Sequence, residues 1–137
     1  MPARSRARKR ALDILYAADL RGQDAVAALD QRIEAGEGPS NPYVAYLVRG
    51  VAEHQARIDE LLAEYSQGWA LNRMPAVDRT ALRIGVFELL WAEDVPDPVA
   101  VDEAVSLVRD LSTDDSPAFV NGVLGAMLRS KADIEAL

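Results

Sequence analysis

Apolar residues along the chain recur at intervals of three and four, and no stretch alternates regularly enough to read as a strand. β-branched residues sit singly inside that helical spacing, and hairpin turns of the Asn-Gly kind are missing between runs, so an all-α fold is expected. A first helix is predicted from about Arg4 to Leu20, stopped at Gly22, with Ala7, Ala11, Ile14, Leu15 and Ala18 on one inward stripe. Asp24 is a good cap for a second, shorter helix that ends near Gly36, and GEGPSNP then forms the strongest breaker in the chain. Asn41 and Pro42 read as cap and first-turn proline of a long helix through about Tyr65, with Gly50 as the place where it would bend. Its expected core contacts are Tyr43, Leu47, Val51, Ile58, Leu61 and Leu62.

The segment from Ser66 to Ala76, with Gly68 and Pro75, reads as the link between two helical halves, 1–68 and 69–137. From Val77 to Trp91 the apolar residues surround the helix, the pattern of a central, buried element. DVPDP interrupts the chain twice with proline, and Val99 to Leu111 resumes with a stripe of Val101, Ala104, Val105, Val108 and Leu111. Ser116 as cap and Pro117 in the first turn open a last helix through about Ala132, whose stripe is Val120, Val123, Leu124 and Met127. The expectation is two small helical bundles, about seven helices, in one compact domain. At 137 residues the chain has one domain's length.

Charge changes this picture more than composition does. The net charge is −7, but Arg4, Arg6, Arg8, Lys9 and Arg10 place five positive charges and no acid in the first twelve residues. The remainder carries ten basic against 22 acidic residues, so a basic arm is attached to an acidic body. Without cysteine, disulfides, thiolate chemistry and cysteine metal sites are excluded, and the single histidine, His54, builds no zinc site alone. Apolar runs are too short to span a membrane, and the segment after the arm is too polar for a signal sequence, so a cytoplasmic location is expected. Glycine-rich phosphate loops and catalytic carboxylate pairs are missing, so neither an enzyme nor a cofactor is expected.

The arm is the first functional candidate. Arginines on a helix suit RNA because each guanidinium forks onto a phosphate or stacks on a base, although a solubilising arm has the same composition. Arg4 and Arg8 project to one side of the helix and Arg6 and Arg10 to another. Tyr16, seven residues after Lys9 and nearly opposite the apolar stripe, would offer a stacking platform; alternatively it joins Leu12 and Leu20 in a second packed face. Phe119 lies at the edge of the last helix's stripe. Asp114 and Asp115 oppose an anion at that helix's start, which leaves base-edge contact as the chemistry open to them. Asp78 reads most simply as a first-turn acid complementing the helix dipole, and His54 as a surface or satisfied helix residue.

RARKRALDILYAADLRG, followed by PAVDRTALRIGVFELLWAEDVPDPVAVDEAVSLVRDLSTDDSPAFVNGVLGAML, resembles the NusB family, in its actinobacterial branch, over essentially the whole chain. VDRTALRIGVFELL, VAVDEAVSLV and DDSPAFVNGVL carry the resemblance in order and spacing. It implies an all-α fold of two helical subdomains and a transcription antitermination factor. Such a factor binds single-stranded boxA RNA of ribosomal RNA leaders together with NusE, a small-subunit ribosomal protein, and joins the elongating RNA polymerase through that complex. It implies RNA contacts at the arm, Arg4, Arg6 and Arg8 with Lys9 and Arg10 extending it, and at Tyr16, Asp115 and Phe119. Asp78 would be the NusE contact. Pro117 departs from the family's polar residue. NusB-like domains also precede ribosomal RNA cytosine methyltransferase domains, but no glycine-rich strand-to-helix turn follows here. A helical protein-binding scaffold is the other rival, and the residues leave open whether the free chain is a monomer or a homodimer.

Overall fold

The computed structural model describes residues 2–67 and 69–136, and its regular elements are helical throughout. The elements are α1 (Ala3–Arg21), α2 (Ala25–Glu34), α3 (Pro42–Tyr65), a 3₁₀ turn at Leu71–Arg73, α4 (Ala76–Trp91), α5 (Asp97–Leu111), α6 (Ser116–Arg129) and α7 (Lys131–Glu135). The helix ends follow from local chemistry. Gly22 closes α1 at φ 64°, the left-handed conformation that glycine adopts without penalty. The Asp24 side chain accepts from the Val26 and Ala27 amides, and Asn41 accepts from Tyr43 N–H with Pro42 in the first turn.

α4 is the centre of the molecule, packed by α1, α3, α5 and α6, while α2 packs on α1 and α3. A single apolar cluster runs from Ala7 to Ile134 and joins both halves of the chain. The expected inward stripes of α1 and α3 are buried as read, as are Val101, Ala104, Val105 and Val108 of α5. Leu111, the last of that stripe, stands exposed at the helix end. The proposed division at residue 68 falls at Gly68, outside the described residues. Among the described residues no helix is long and apolar enough to cross a membrane.

α3 runs unbroken through Gly50, where the missing side chain serves close packing: a Cβ there would lie 2.2 Å from Phe87 Cζ. Two local expectations need correction. Ser116 is not the cap of α6. Asp115 occupies that position without a side-chain cap bond, and the Ser116 hydroxyl turns inward. The last helix is two: α6 ends at Arg129 with Ser130 as its cap, and α7 follows with Ile134 returned to the core.

Gly50→Ala is expected to destabilise the fold by about 1–3 kcal/mol through overpacking against Phe87. Gly122→Ala, where a Cβ meets nothing within 4 Å, is expected to stabilise by roughly 0.5–1 kcal/mol. Thermal melts of the two variants should move in opposite directions, and a common sign would contradict this account of Gly50.

Candidate nucleic-acid interface

Arg8 falls on the inward side of α1 and is only 3% exposed. Its guanidinium forks onto Glu88 of α4, with Nε 2.8 Å from Oε1 and 3.0 Å from Oε2, and Nη2 2.9 Å from Oε2. Nη1 stands 3.2 Å from Glu103 Oε1 on α5, which also accepts from Ser5 Oγ at 2.8 Å. The Tyr43 hydroxyl of α3 donates to the same Glu88 carboxylate. Burial opposes the Arg8 charge, but the hydrogen bonds to Glu88 and the charges of Glu88 and Glu103 outweigh it and hold the pKa above its ordinary value. Burial, reinforced by the Glu88 hydrogen bond, pushes the Tyr43 phenol upward, so it remains a donor. Arg8 as a phosphate contact is therefore corrected: its charge-assisted bonds are spent inside the protein, where no phosphate reaches.

The rest of the arm faces outward. Arg4 is exposed; it lies 4.3 Å over the Tyr43 ring and pairs with Asp94 at 2.7 Å. The hydrogen bond between them raises the Arg4 pKa and lowers that of Asp94. Arg6, Lys9 and Arg10 are exposed. Arg6 and Arg10 border a cleft with Ser40 and Asn41, and Lys9 borders another with Ser106 and Asp110 of α5. Tyr16 is half-buried, with part of its ring against the core. It lies one heptad from Lys9, within about 20° of alignment on the helix; it packs beside the buried Leu12, whereas Leu20, the third member of the expected second face, is exposed, and the open part of the Tyr16 ring lies beside Lys9.

Asp78 is the second correction. Although it opens α4, it is 2% exposed, accepting from Ser112 Oγ at 2.6 Å and from Ser116 Oγ at 2.8 Å. The Ser116 oxygen in turn accepts from Thr113 N–H at 3.2 Å. The carboxylate ties α4 to the turn between α5 and α6 and is not presented to a partner. The aspartate was read as exposed because first-turn acids usually are; the serines that enclose it lie more than thirty residues away in sequence.

Asp115 is exposed, and Phe119, one turn further along α6, is half-buried. Its ring lies 5.3 Å from that of Trp69, a residue the sequence reading did not single out. Trp69 is 51% exposed. Its signal was a lone tryptophan in a breaker-rich segment, where packing demands nothing so large. The partners of Arg8 had a clearer signal: Glu88 interrupts a helix otherwise apolar all round, and a buried carboxylate requires a cation. His54 is half-buried and stacks on Trp91 at 4.1 Å. Among the described residues no group of three or more His, Cys, Asp or Glu side chains is placed to hold a metal ion. The surface offers exposed guanidinium and ammonium groups on α1, the open part of the half-buried Tyr16, and the exposed ring of Trp69 beside α6, which is chemistry for phosphates and unpaired bases.

The model of the NusB family matches residues 5–129. The transcription antitermination protein NusB of Nocardioides sp. is 69% identical over 134 residues, covering 98% of this chain and 99% of that protein. That of Beutenbergia cavernae is 61% identical over 139 residues, covering 94% and 91%. Among solved structures, T. maritima NusB superposes with a TM-score of 0.83 at 29% identity, over 98% of this chain and 99% of that one. A chain in a complex of the antitermination factors NusB and NusE with double-stranded RNA superposes at 0.79 and 28% identity, over 94% and 99%.

Arg8→Ala leaves Glu88 buried and without its cation, and is expected to lower stability by about 3–5 kcal/mol in urea denaturation. Adding Glu88→Leu should recover part of that loss, and strictly additive losses would show that the pair is not coupled. Asp78→Ala strands the hydroxyls of Ser112 and Ser116 and is expected to lower stability by about 1–3 kcal/mol. Asp78→Lys should be worse. A wild-type melting temperature for Asp78→Lys would return the residue to the surface.

Proposed function

The chain belongs to the NusB family, and we propose that it acts as a transcription antitermination factor, an RNA-binding adaptor that with NusE binds boxA RNA of ribosomal RNA leader transcripts. In this role it suppresses premature termination by joining the elongating RNA polymerase through that complex, in the cytoplasm, and transforms nothing chemically. The observation that carries the reading is the outward side of α1, where Arg6, Lys9 and Arg10 stand exposed, Lys9 in line with the open part of Tyr16, while Arg8 anchors the helix beneath them. Phosphate contacts by these cations supply affinity, and unpaired bases stacked on Tyr16 and Phe119, with Asp115 at a base edge, supply selectivity. The halves 1–68 and 69–137 act as two helical subdomains sharing one core, the first of them carrying the arm. The names of the relatives and the RNA and NusE in the solved complex support this assignment. The acidic body argues against a general nucleic-acid binder, since its only dense cationic stretch is the arm.

Filter binding is expected to show tighter retention of boxA RNA than of a scrambled RNA of equal length. Replacing Arg6, Lys9 and Arg10 by Ala removes up to three phosphate contacts, so the slope of log affinity against log salt should become shallower by about 2, at roughly 0.7 per single-strand contact. Helicity should persist, because alanine favours helix. An unchanged slope would mean that the arm touches no phosphate, and a protein-binding scaffold would then be the better description.

A further inference from the structure

Arg4 and Arg8 stand one turn apart on the same side of α1, and each meets a carboxylate, but the two pairs differ in kind. Arg8 forks onto Glu88 in the interior, whereas Arg4 reaches Asp94 through Nη2 at 2.7 Å with 46% of its own side chain and 63% of its partner's in solvent. Water competes for both members of so exposed a pair, and such pairs are weak. The seat of Arg4 is nevertheless specific. Its guanidinium lies 4.3 Å over the Tyr43 ring, Tyr46 stacks on Tyr43 at 5.4 Å, and Asn41 and Pro42 complete the border of an open hollow. Asp94 is presented by a fixed turn, in which the buried Val95 donates its N–H to Ala92 O at 3.0 Å.

This seat adjoins the cleft of the arm. Asn41 borders both hollows, with Arg4, Tyr43 and Asp94 around one and Arg6, Arg10 and Ser40 around the other, and its Nδ2 donates to Ala3 O at 3.4 Å, joining the starts of α3 and α1. A strand whose phosphates run past Arg6 and Arg10 therefore passes beside the seat of Arg4. Phosphate and carboxylate oxygens fit the same guanidinium fork, so the two anions compete for one cation.

We propose that Asp94 is an internal competitor for RNA: in the free chain it holds the Arg4 guanidinium against Tyr43, and a bound strand takes that guanidinium in exchange. This rests on the RNA-binding reading above and adds to it a residue that sets affinity without touching the strand. Arg8 admits no such exchange, because Glu88 is buried and would be left without its cation. Asp94, released, is simply hydrated. The exchange also discriminates between anions. A loose anion meets Arg4 already neutralised, whereas a strand aligned along Arg6 and Arg10 delivers its next phosphate at high local concentration.

Asp94→Asn keeps the size of the side chain and removes its charge, and in filter binding this variant is expected to hold boxA RNA about two- to fivefold more tightly than the wild-type chain, the range of an exposed ion pair. Arg4→Ala should weaken binding and make the salt slope shallower by about 0.7, and in that background Asp94→Asn should lose most of its gain. Glu93→Gln removes the neighbouring exposed charge without touching the pair, so its smaller effect measures long-range repulsion alone. All three residues are exposed, and circular dichroism should show wild-type helix content in every variant. In NMR spectra of the free wild-type chain the Tyr43 ring current should displace the Arg4 Hδ signals upfield, and saturating boxA RNA should return them. Weaker RNA binding by Asp94→Asn would mean that the carboxylate prepositions Arg4, and overturns the proposal. So does an equal gain from Glu93→Gln or in the Arg4→Ala background, which reduces the effect to net charge, and so do Arg4 signals that RNA leaves in place. Should Arg4→Ala change neither affinity nor slope while joint replacement of Arg6, Lys9 and Arg10 does, Asp94 has nothing to compete for and the RNA-binding function stands. Absence of RNA binding by the wild-type chain overturns both.

Discussion

A charged residue on the central helix sets the terms for everything packed against it. Glu88 is 1% exposed on an element surrounded by apolar neighbours, and the effective penalty for burying such an ion is several kcal/mol. The forked guanidinium of Arg8 and the hydroxyl of Tyr43 satisfy its oxygens, and Glu103 stands against the same guanidinium, so two carboxylates share one cation. Set against desolvation, such a cluster adds little net stability; its effect is on register. A guanidinium fork tolerates small displacement only, so α1 lies at one height and one rotation against α4. That rotation turns Lys9 and Arg10 outward. The residue buried most deeply in the basic run therefore positions the exposed ones.

α4 holds a second buried carboxylate, and the two are treated differently for a reason that lies in the helix itself. Asp78 stands in the first turn, where unpaired amides and the positive end of the macrodipole favour an anion, and two serine hydroxyls complete its environment. Glu88 stands in the last turn, where the dipole disfavours negative charge, and a full cation is needed there. One acid recruits the α5–α6 turn and the other recruits α1. The central helix is thereby tied to both halves of the chain through its ends, while its middle packs with apolar side chains and close contacts such as Gly50 against Phe87.

This division explains how much was legible in the sequence. Periodicity and end signals located the helices because both are local: Gly22, Asp24, Asn41 and Pro42 act within a few residues of the ends they define. The stripes of α1, α3 and α5 followed from the same period. Arg8 and Asp78 were misassigned because their burial depends on partners 80 and 34 to 38 residues away. Residue type alone places arginine on the surface. Glu88, in a helix read as wholly buried, carried the unused signal, since a buried carboxylate requires a cation and Arg8 supplies it. Ser116 was misread for a related reason: a serine before a proline is a cap unless a buried acceptor competes for its hydroxyl, and Asp78 does.

Net charge would have been a poor guide to function here. At physiological ionic strength the Debye length is about 8 Å, so a phosphate at the arm responds to Arg6, Lys9 and Arg10 and scarcely to carboxylates across the molecule. Two of the acidic groups near the arm are instead paired internally: Asp94 with Arg4, and Glu103 with Arg8 and Ser5. Asp19 lies further along the same helix and is taken up by Arg79. Neutralising these carboxylates within the fold lowers their repulsion of an approaching polyanion while leaving the body soluble through its remaining acids. An acidic protein can present a cationic surface when basic side chains are exposed and some of the nearest carboxylates are engaged within the fold, and the packing of α1 on α4 and α5 produces that arrangement.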